Sequence, residues 1–447
     1  MMSSLVAGLD LGSTCLKVVV EDDAGRLRTE ARVPTPWRSA VAGGAELDAE
    51  ALDAAVMQLF HRVARDLAPE ERIAGVAVTG MGETGFVVRE GRAHSPGIAW
   101  FDPRGDEEVA SLPTMLRKEF PGRTGLPWGV QVTAAKIAWL RGHGWDPAGG
   151  QWSSLPEWVT TRLGCALRAE PSLIARTGLI DQDSGEPWPE LLEWLGLDDA
   201  FVPPRLIAGS SFGTVTAAWV PDAFRDAAVT VAGHDHLVAA SLSGLQPDTW
   251  YVSFGTAEVL LRLLPTPLDF EARTRLGAAL INCVPHVIPG QTVLVAGVKT
   301  GLQLRRILQL CGIHDAAGRE QLDRMVVALD DSPPLADAVM VTGARNDDGE
   351  LRITVRSDEV TPAALFRAAL AHGNDEIERL IAIVDRELPE ATATTMSGGW
   401  TGMASVVRAR ATVLPNLTVS HHPQETASGA AACARRLIEP EDVTCTT

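Results

Sequence analysis

The sequence is short of positive charge. Its 39 lysines and arginines face 57 aspartates and glutamates, a formal net charge of −18. Nucleic acid and anionic membranes both bind basic faces, so the balance argues against either as a partner. It leaves a nucleotide open, because backbone N–H groups and a metal can hold phosphate. Cysteine is sparse: Cys15, Cys165, Cys283, Cys311, Cys433 and Cys445 are scattered, with no C-x-x-C spacing. That speaks against a zinc ribbon or a disulfide scaffold and fits free thiols in a reducing compartment. No uncharged apolar run is long enough to span a bilayer. The opening "MMSSLVAGLDLG" lacks the basic segment, apolar run and cleavage site of a secretion signal. The expectation is a cytoplasmic protein without a membrane partner. Low-complexity linkers are also missing.

What remains is ordinary globular material: 447 residues, 46% apolar and 21% charged. That is enough for two large domains or two to three ordinary ones. Each half opens alike. "LVAGLDLGSTCLKVVV" is an apolar strand, a turn at Gly12 and a second strand, closed by the turn "DDAG". "TWYVSFGTAEVLLRLL" has the same grammar around Gly255. Two glycine hairpins suggest an internal duplication. Between them, Leu52, Val56, Leu59, Phe60 and Val63 show helical spacing, and "IAGVAVTG" is a short buried strand. "AAKIAWLRGHG", "PEWVTTRLG", "PELLEWLGL", "LQLRRILQLCG", "PAALFRAALAHGNDEIERLIAIV" and "ETASGAAACARRLI" are predicted helices. Strands alternating with helices give an α/β class. The boundary is expected near Gln246-Pro247-Asp248, giving units 1–246 and 247–447.

Several stretches carry chemistry. Asp10 interrupts an apolar strand, which is costly unless the carboxylate has a partner. Gly12, Ser13 and Thr14 follow it as a small hydroxyl-bearing turn that can point donors at phosphate. Lys17 can add positive charge, and Mg²⁺ between Asp10 and phosphate would relieve their repulsion. The alternative is a hairpin whose aspartate bonds its own turn. Gly255-Thr256 can grip a phosphate in the same way. In "TTMSGGWTGMASVVRARATV", a strand, Gly398-Gly399 and then a helix make a nucleotide cradle or merely a tight turn. Glu83, Trp100, Asp102 and Arg104 lie at strand ends. Carboxylates beside an indole suit a polyhydroxylated ligand, while Asp102 and Arg104 can equally form a surface salt bridge. In "VAGHDHLVAA", His234, Asp235 and His236 could be metal ligands, a catalytic base or a helix cap. Neighbours at a helix start point apart, which disfavours the metal, and Asp is a favoured N-cap.

Taken in this order, these stretches resemble the FGGY carbohydrate kinases of the actin-like, ribonuclease-H-like ATPase superfamily. "GLDLGSTCLKVV" and "SFGTAEVL" are similar to the family's two phosphate motifs, and "GIAWFDPRGDEE" to its Trp-x-Asp-x-Arg segment. "VAGHDHLVAASLSG" resembles the run at the catalytic aspartate, "VAGVKTGLQLRRIL" the glycine turn of the ATP site, and "MSGGWTGMAS" the adenosine motif. The resemblance implies two ribonuclease-H-like domains with a cleft between them, the sugar on the first and ATP on the second. The last helix would pack back on the first domain. It implies a kinase that passes the γ-phosphoryl group of ATP to a small sugar: a fuculose-, xylulose- or ribulose-like ketose, or a related polyol. Asp10 would hold Mg²⁺. Gly12, Ser13, Thr14, Lys17, Gly255, Thr256, Gly301, Gly398 and Gly399 would serve the nucleotide. Glu83, Trp100 and Asp235 would face the sugar, with Asp235 as base. Departures stand out: Trp400 replaces the serines usual after the glycines, Glu157 replaces a common aspartate, and "TGMGETG" lacks the residue usual in xylulokinase-like members. The alternative on the same fold is a non-catalytic sensor or chaperone-like ATPase. A homodimer is one option for assembly.

Overall fold

The computed structural model describes residues 4–40, 43–329, 338–345, 351–420 and 424–439. Cys445 lies outside them; the other five cysteines are free thiols. Among the described residues, no helix is long and apolar enough to cross a membrane.

Two six-stranded sheets carry the fold. In the first, Leu5–Leu11, Cys15–Glu21 and Leu27–Pro34 form an antiparallel meander. Ile73–Gly80 joins Leu5–Leu11 in parallel, and Ala228–His234 joins Ile73–Gly80 in parallel. The second sheet repeats this plan. Thr249–Phe254, Glu258–Leu264 and Thr292–Val298 are antiparallel, and Ala393–Ser397 and Leu417–Val419 add in parallel. The two glycine hairpins therefore open two copies of one topology. Leu5–Leu11 is buried at every position, as expected of a strand covered on both faces. That is why "LVAGLDL" reads as a near-continuous apolar run.

The crossover from Leu27–Pro34 to Ile73–Gly80 uses the helix Ala49–Arg65. Asp48 caps it by accepting the N–H groups of Glu50 and Ala51. Leu52, Val56, Leu59, Phe60 and Val63 are its buried face, each contributing about 1.5–3 kcal/mol. A third apolar cluster joins the halves: Leu237 and Ala240 pack with Tyr251, Leu261 and Val295.

The helix Glu425–Ile438 lies on the first sheet although it is last in sequence. Contact is close because residue 8 is glycine. A Cβ there would stand 2.0 Å from the Ala427 carbonyl oxygen and 2.5 Å from the Ala431 nitrogen. Val6, Val19, Ala77, Ala232 and Val238 pack with Ala427, Ala430, Ala431 and Ala434 in one cluster. The start of this helix is tied to the second sheet instead. The Tyr251 hydroxyl donates to Glu425 Oε2 at 2.5 Å and meets Ser397 Oγ at 2.7 Å.

Candidate active site

Parallel strands end together. In the first sheet Leu11 is in register with Gly80, and Gly80 with His234. The Gly12-Ser13-Thr14 turn, the loop carrying Glu83, and Asp235 therefore emerge at one edge. That carboxyl edge is where open α/β sheets hold ligands.

The Gly12 turn is pinned from behind. Thr35 Oγ1 donates to the Gly12 carbonyl at 2.6 Å, Trp37 Nε1 to the Ser13 carbonyl at 2.7 Å, and the Thr35 N–H to the Thr14 carbonyl at 3.1 Å. In a planar trans peptide the N–H points opposite its carbonyl. The Ser13 and Thr14 N–H groups are thereby turned the other way. Asp10 is 6% exposed. Burial pushes its carboxyl up to about 7; Lys17 pulls it down and Asp235 adds to the rise. Lys17 is thus not simply a free cation for phosphate, since its Nζ stands 3.9 Å from Asp10 Oδ2.

Glu83 and Trp100 are brought together through Thr84, whose hydroxyl accepts the Trp100 N–H at 3.1 Å. Arg176, on the short turn Ala175–Thr177, donates Nε to Glu83 Oε1 at 2.7 Å. Burial pushes Glu83 up, but the charge of Arg176, with His234 adding, holds it well below the usual carboxylate range. His234 stands between Glu83 and Asp235 without a ring hydrogen bond to either: its Nε2 lies 3.9 Å from Glu83 Oε2 and its Nδ1 3.4 Å from Asp235 Oδ1. Its own N–H is anchored on Ser172 Oγ at 3.0 Å, and that hydroxyl donates to Glu170 Oε2 at 2.6 Å.

Three sequence expectations need correction here. Asp235 is not the N-cap. His234 is, and Asp235 is the first residue of the helix Asp235–Leu242. Asp235 Oδ1 accepts the His236 N–H at 2.7 Å, and among the described residues nothing bonds to Oδ2. Nor do the three side chains point apart. Because His234 is still extended, both rings fold against the carboxylate, His236 Nε2 at 4.0 Å from Oδ1. Even so, among the described residues no group of three His, Cys, Asp or Glu could hold a metal. Finally, Asp102–Arg104 is not a surface pair. The Asp102 side chain is 0% exposed and meets Arg104 Nη2 at 2.7 Å. Lys136 Nζ donates to both their carbonyls, so this segment holds the Trp100 loop in place.

The second sheet has a matching edge. Phe254, Glu258 and Val298 are in register, and Ser397 pairs with Ser253. The glycines follow at once. A Cβ on Gly301 would lie 2.0 Å from the Gly255 carbonyl oxygen, 2.8 Å from that of Thr256 and 2.9 Å from Trp400 Nε1. One on Gly398 would lie 2.4 Å from the Phe254 carbonyl oxygen. Motifs far apart in sequence thus share one small space. Two details differ from expectation. The Gly255 N–H is taken by the Ala257 carbonyl at 2.9 Å. After Gly398 comes a short 3-10 turn, Gly399–Gly402, before the helix Ala404–Ala411. That helix is no anion cradle: Asp323 already accepts the Ala404 and Ser405 N–H groups at 2.9 and 2.8 Å. Trp400 packs at 6.3 Å from both Phe254 and Phe366.

Gly301→Ala is expected to disturb this cluster by about 1–3 kcal/mol, the usual size of overpacking. If the cluster lines the nucleotide, KM for ATP should rise by about tenfold or more while sugar affinity holds. An unchanged KM in a folded variant would remove Gly301 from the nucleotide site.

Sequence reasoning missed Arg176, Glu170, Ser172 and Asp323. The signal for Arg176 was an arginine inside the apolar "SLIARTGLI". It also missed the pair Glu258–Arg410, both 0% exposed and joined at 2.6 and 2.8 Å.

Comparison with known proteins fits this geometry. The pattern of the FGGY family of carbohydrate kinases, N-terminal domain, matches residues 5–241. A glycerol kinase of Gloeobacter violaceus is 28% identical over 214 residues, 45% of this chain and 41% of that protein. An L-fuculokinase of Salmonella typhi is 25% identical over 282 residues, 58% of this chain and 57% of that protein. The chain spans about half the length of the curated relatives it matches. The crystal structure of a xylulose kinase from Rhodospirillum rubrum superposes with a TM-score of 0.83 at 23% identity, covering 96% of this chain and 89% of that one. At that identity the likeness establishes the fold.

Proposed function

The chain belongs to the FGGY family of carbohydrate kinases, and from that premise we propose that it phosphorylates a small sugar with ATP. The observation that carries the reading is the meeting of Asp10, Glu83 and Asp235 at one sheet edge, with the Trp100 backbone held on Thr84 beside Glu83 and the glycine cluster at the matching edge of the second sheet. Residues 1–246 would bind the acceptor and 247–447 the nucleotide. The acceptor would be a ketose of fuculose, xylulose or ribulose type, or a related polyol.

Asp235 Oδ1 is engaged by the His236 N–H, which leaves Oδ2 to take the acceptor's proton. As the O–H bond breaks, the sugar oxygen bonds to the γ-phosphorus and the bond to the ADP oxygen breaks. Glu83 and Trp100 would hold the sugar, one by hydrogen bonding and one by packing on its C–H faces. The Ser13 and Thr14 N–H groups and Thr256 would bind phosphate oxygens. Asp10 also suits a hard cation that takes its other ligands from phosphate and water: it is a nearly buried carboxylate whose one close cation among the described residues is 3.9 Å away. Mg²⁺ held there would supply neutralising charge to the phosphates. A chaperone-like ATPase has no reason to combine a sugar platform with an aspartate whose Oδ2 is unbonded among the described residues.

The test is ADP release from Mg-ATP across ketopentoses, deoxyketohexoses, polyols and aldonates. Sugar-dependent release supports the kinase; release that ignores every sugar points to an ATPase of another kind.

Asp10 gives a separate prediction. Its carboxyl holds a proton in the folded state at pH values where the unfolded chain has lost it. Its contribution to stability therefore falls as pH rises from about 4 to about 7. Asp10→Asn is expected to raise Tm at about pH 8 without metal, while lowering kcat and raising the Mg²⁺ requirement. Unchanged activity and Mg²⁺ dependence would refute the assignment.

A further inference from the structure

Gly82 leaves room that a side chain would fill. A Cβ at position 82 would stand 2.7 Å from Arg176 Cγ and 3.1 Å from both Arg176 Cβ and His234 Cδ2. The stem of Arg176 thus crosses the backbone just before Glu83. Its guanidinium then closes on a single oxygen. Nε donates to Glu83 Oε1 at 2.7 Å, and Nη2 stands 2.5 Å from the same atom. An arginine–carboxylate pair more often shares two N–H groups between two oxygens. Among the described residues Oε2 keeps only His234 Nε2 at 3.9 Å, beyond hydrogen-bond reach. The Glu83 side chain is 13% exposed, so it is neither sealed nor free.

We propose that Arg176 is a positioning residue for the acceptor: it locks Oε1 of Glu83 and so dedicates Oε2 to one sugar hydroxyl. This rests on the reading of Glu83 as a sugar-facing residue. A carboxylate with both oxygens open can take two neighbouring hydroxyls. One with a single open oxygen takes one hydroxyl from a fixed direction, and the neighbouring hydroxyl must be read elsewhere.

The arrangement has a pH signature. The charged groups around Glu83 are Arg176, His234, His236 and Asp235. Thr133 touches only the Glu83 carbonyl. Without Arg176, burial would dominate and Glu83 would hold its proton to higher pH. Sugar binding in such a variant should improve as pH rises.

The experiment uses the full-length protein and the sugar of the panel that gives the fastest ADP release. KM and kcat are measured for wild type, Arg176→Met, Arg176→Lys and Glu83→Gln from about pH 6 to about pH 8. Arg176→Met is expected to raise the sugar KM about 10–100-fold at neutral pH. KM for ATP should hold, kcat should fall far less, and the sugar KM should recover with rising pH. Arg176→Lys keeps the charge but not the fork, so its KM should be intermediate with little pH dependence. A sugar KM within about twofold of wild type in Arg176→Met, with Glu83→Gln impaired, overturns the proposal and leaves the reading of Glu83 standing. An unchanged KM in Glu83→Gln removes both. If Arg176→Met does not fold, Arg176→Lys decides: a wild-type KM there overturns the proposal. If no sugar is turned over, dissociation constants for the same sugars from calorimetry decide in the same way.

Discussion

Replacing Asp235 with asparagine is expected to lower kcat by about 10²–10⁴, the usual size of a general-base effect. Sugar affinity and Tm should stay near wild type. The amide oxygen can still accept the His236 N–H that Oδ1 accepts now. What is lost is the second oxygen, the one proposed to take the proton. The carboxylate also sits in the first turn of Asp235–Leu242, where negative charge is worth about 0.3–1 kcal/mol. A small fall in Tm is therefore compatible with the catalytic role. Near-normal kcat in a folded variant would remove Asp235 from the mechanism. Rate and fold lost together would point to a structural role at the helix start.

The largest loss of stability should come from Arg410→Met. Arg410 and Glu258 are both fully buried and share two hydrogen bonds. Arg410 also donates to the Leu370 carbonyl and to Asn374 Oδ1. Removing one member leaves an uncompensated buried charge, which costs about 3–5 kcal/mol. Replacing both, as Glu258→Leu/Arg410→Met, should recover much of that. Urea denaturation of the two variants checks this. A single-variant loss under about 1 kcal/mol would show that water or rearrangement already compensates the charge. Glu258 lies two residues beyond Thr256, so if Thr256 binds phosphate as proposed, the single variant should weaken ATP binding as well.

The parts of this protein legible in its sequence are those set by local pattern. Helical spacing gave the buried face of Ala49–Arg65 residue by residue, and apolar runs bounded by glycine gave both hairpins. The order of short motifs pointed to the family. What escaped were partners fixed by long-range folding. Arg176 reaches Glu83 across the fold because Gly82 leaves space for it. Asp323 takes the helix N-terminus that resembled a phosphate cradle. Asp102 and Arg104 looked like an exposed pair because nothing nearby in sequence shows that Ala45 donates to Asp102, that Glu46 and the Trp139 ring meet Arg104, and that Lys136 ties their carbonyls. The N-cap was missed by one residue, since backbone angles rather than residue type decide where a helix begins.

The last helix has a consequence for how the protein is made. A ribosome releases the first sheet early and Glu425–Ile438 only after the strands of the second sheet. Until then the face formed by Val6, Val19, Ala77, Ala232 and Val238 lacks the alanines of that helix. The first half must therefore wait, incompletely folded, until synthesis has passed residue 438. Its completion is also coupled to the second half, because Glu425 at the head of that helix is held by Tyr251 and reaches it through the second sheet. Nascent chains stalled before residue 425 should present that apolar face to holding chaperones, and the two halves should mature together rather than in the order of their synthesis.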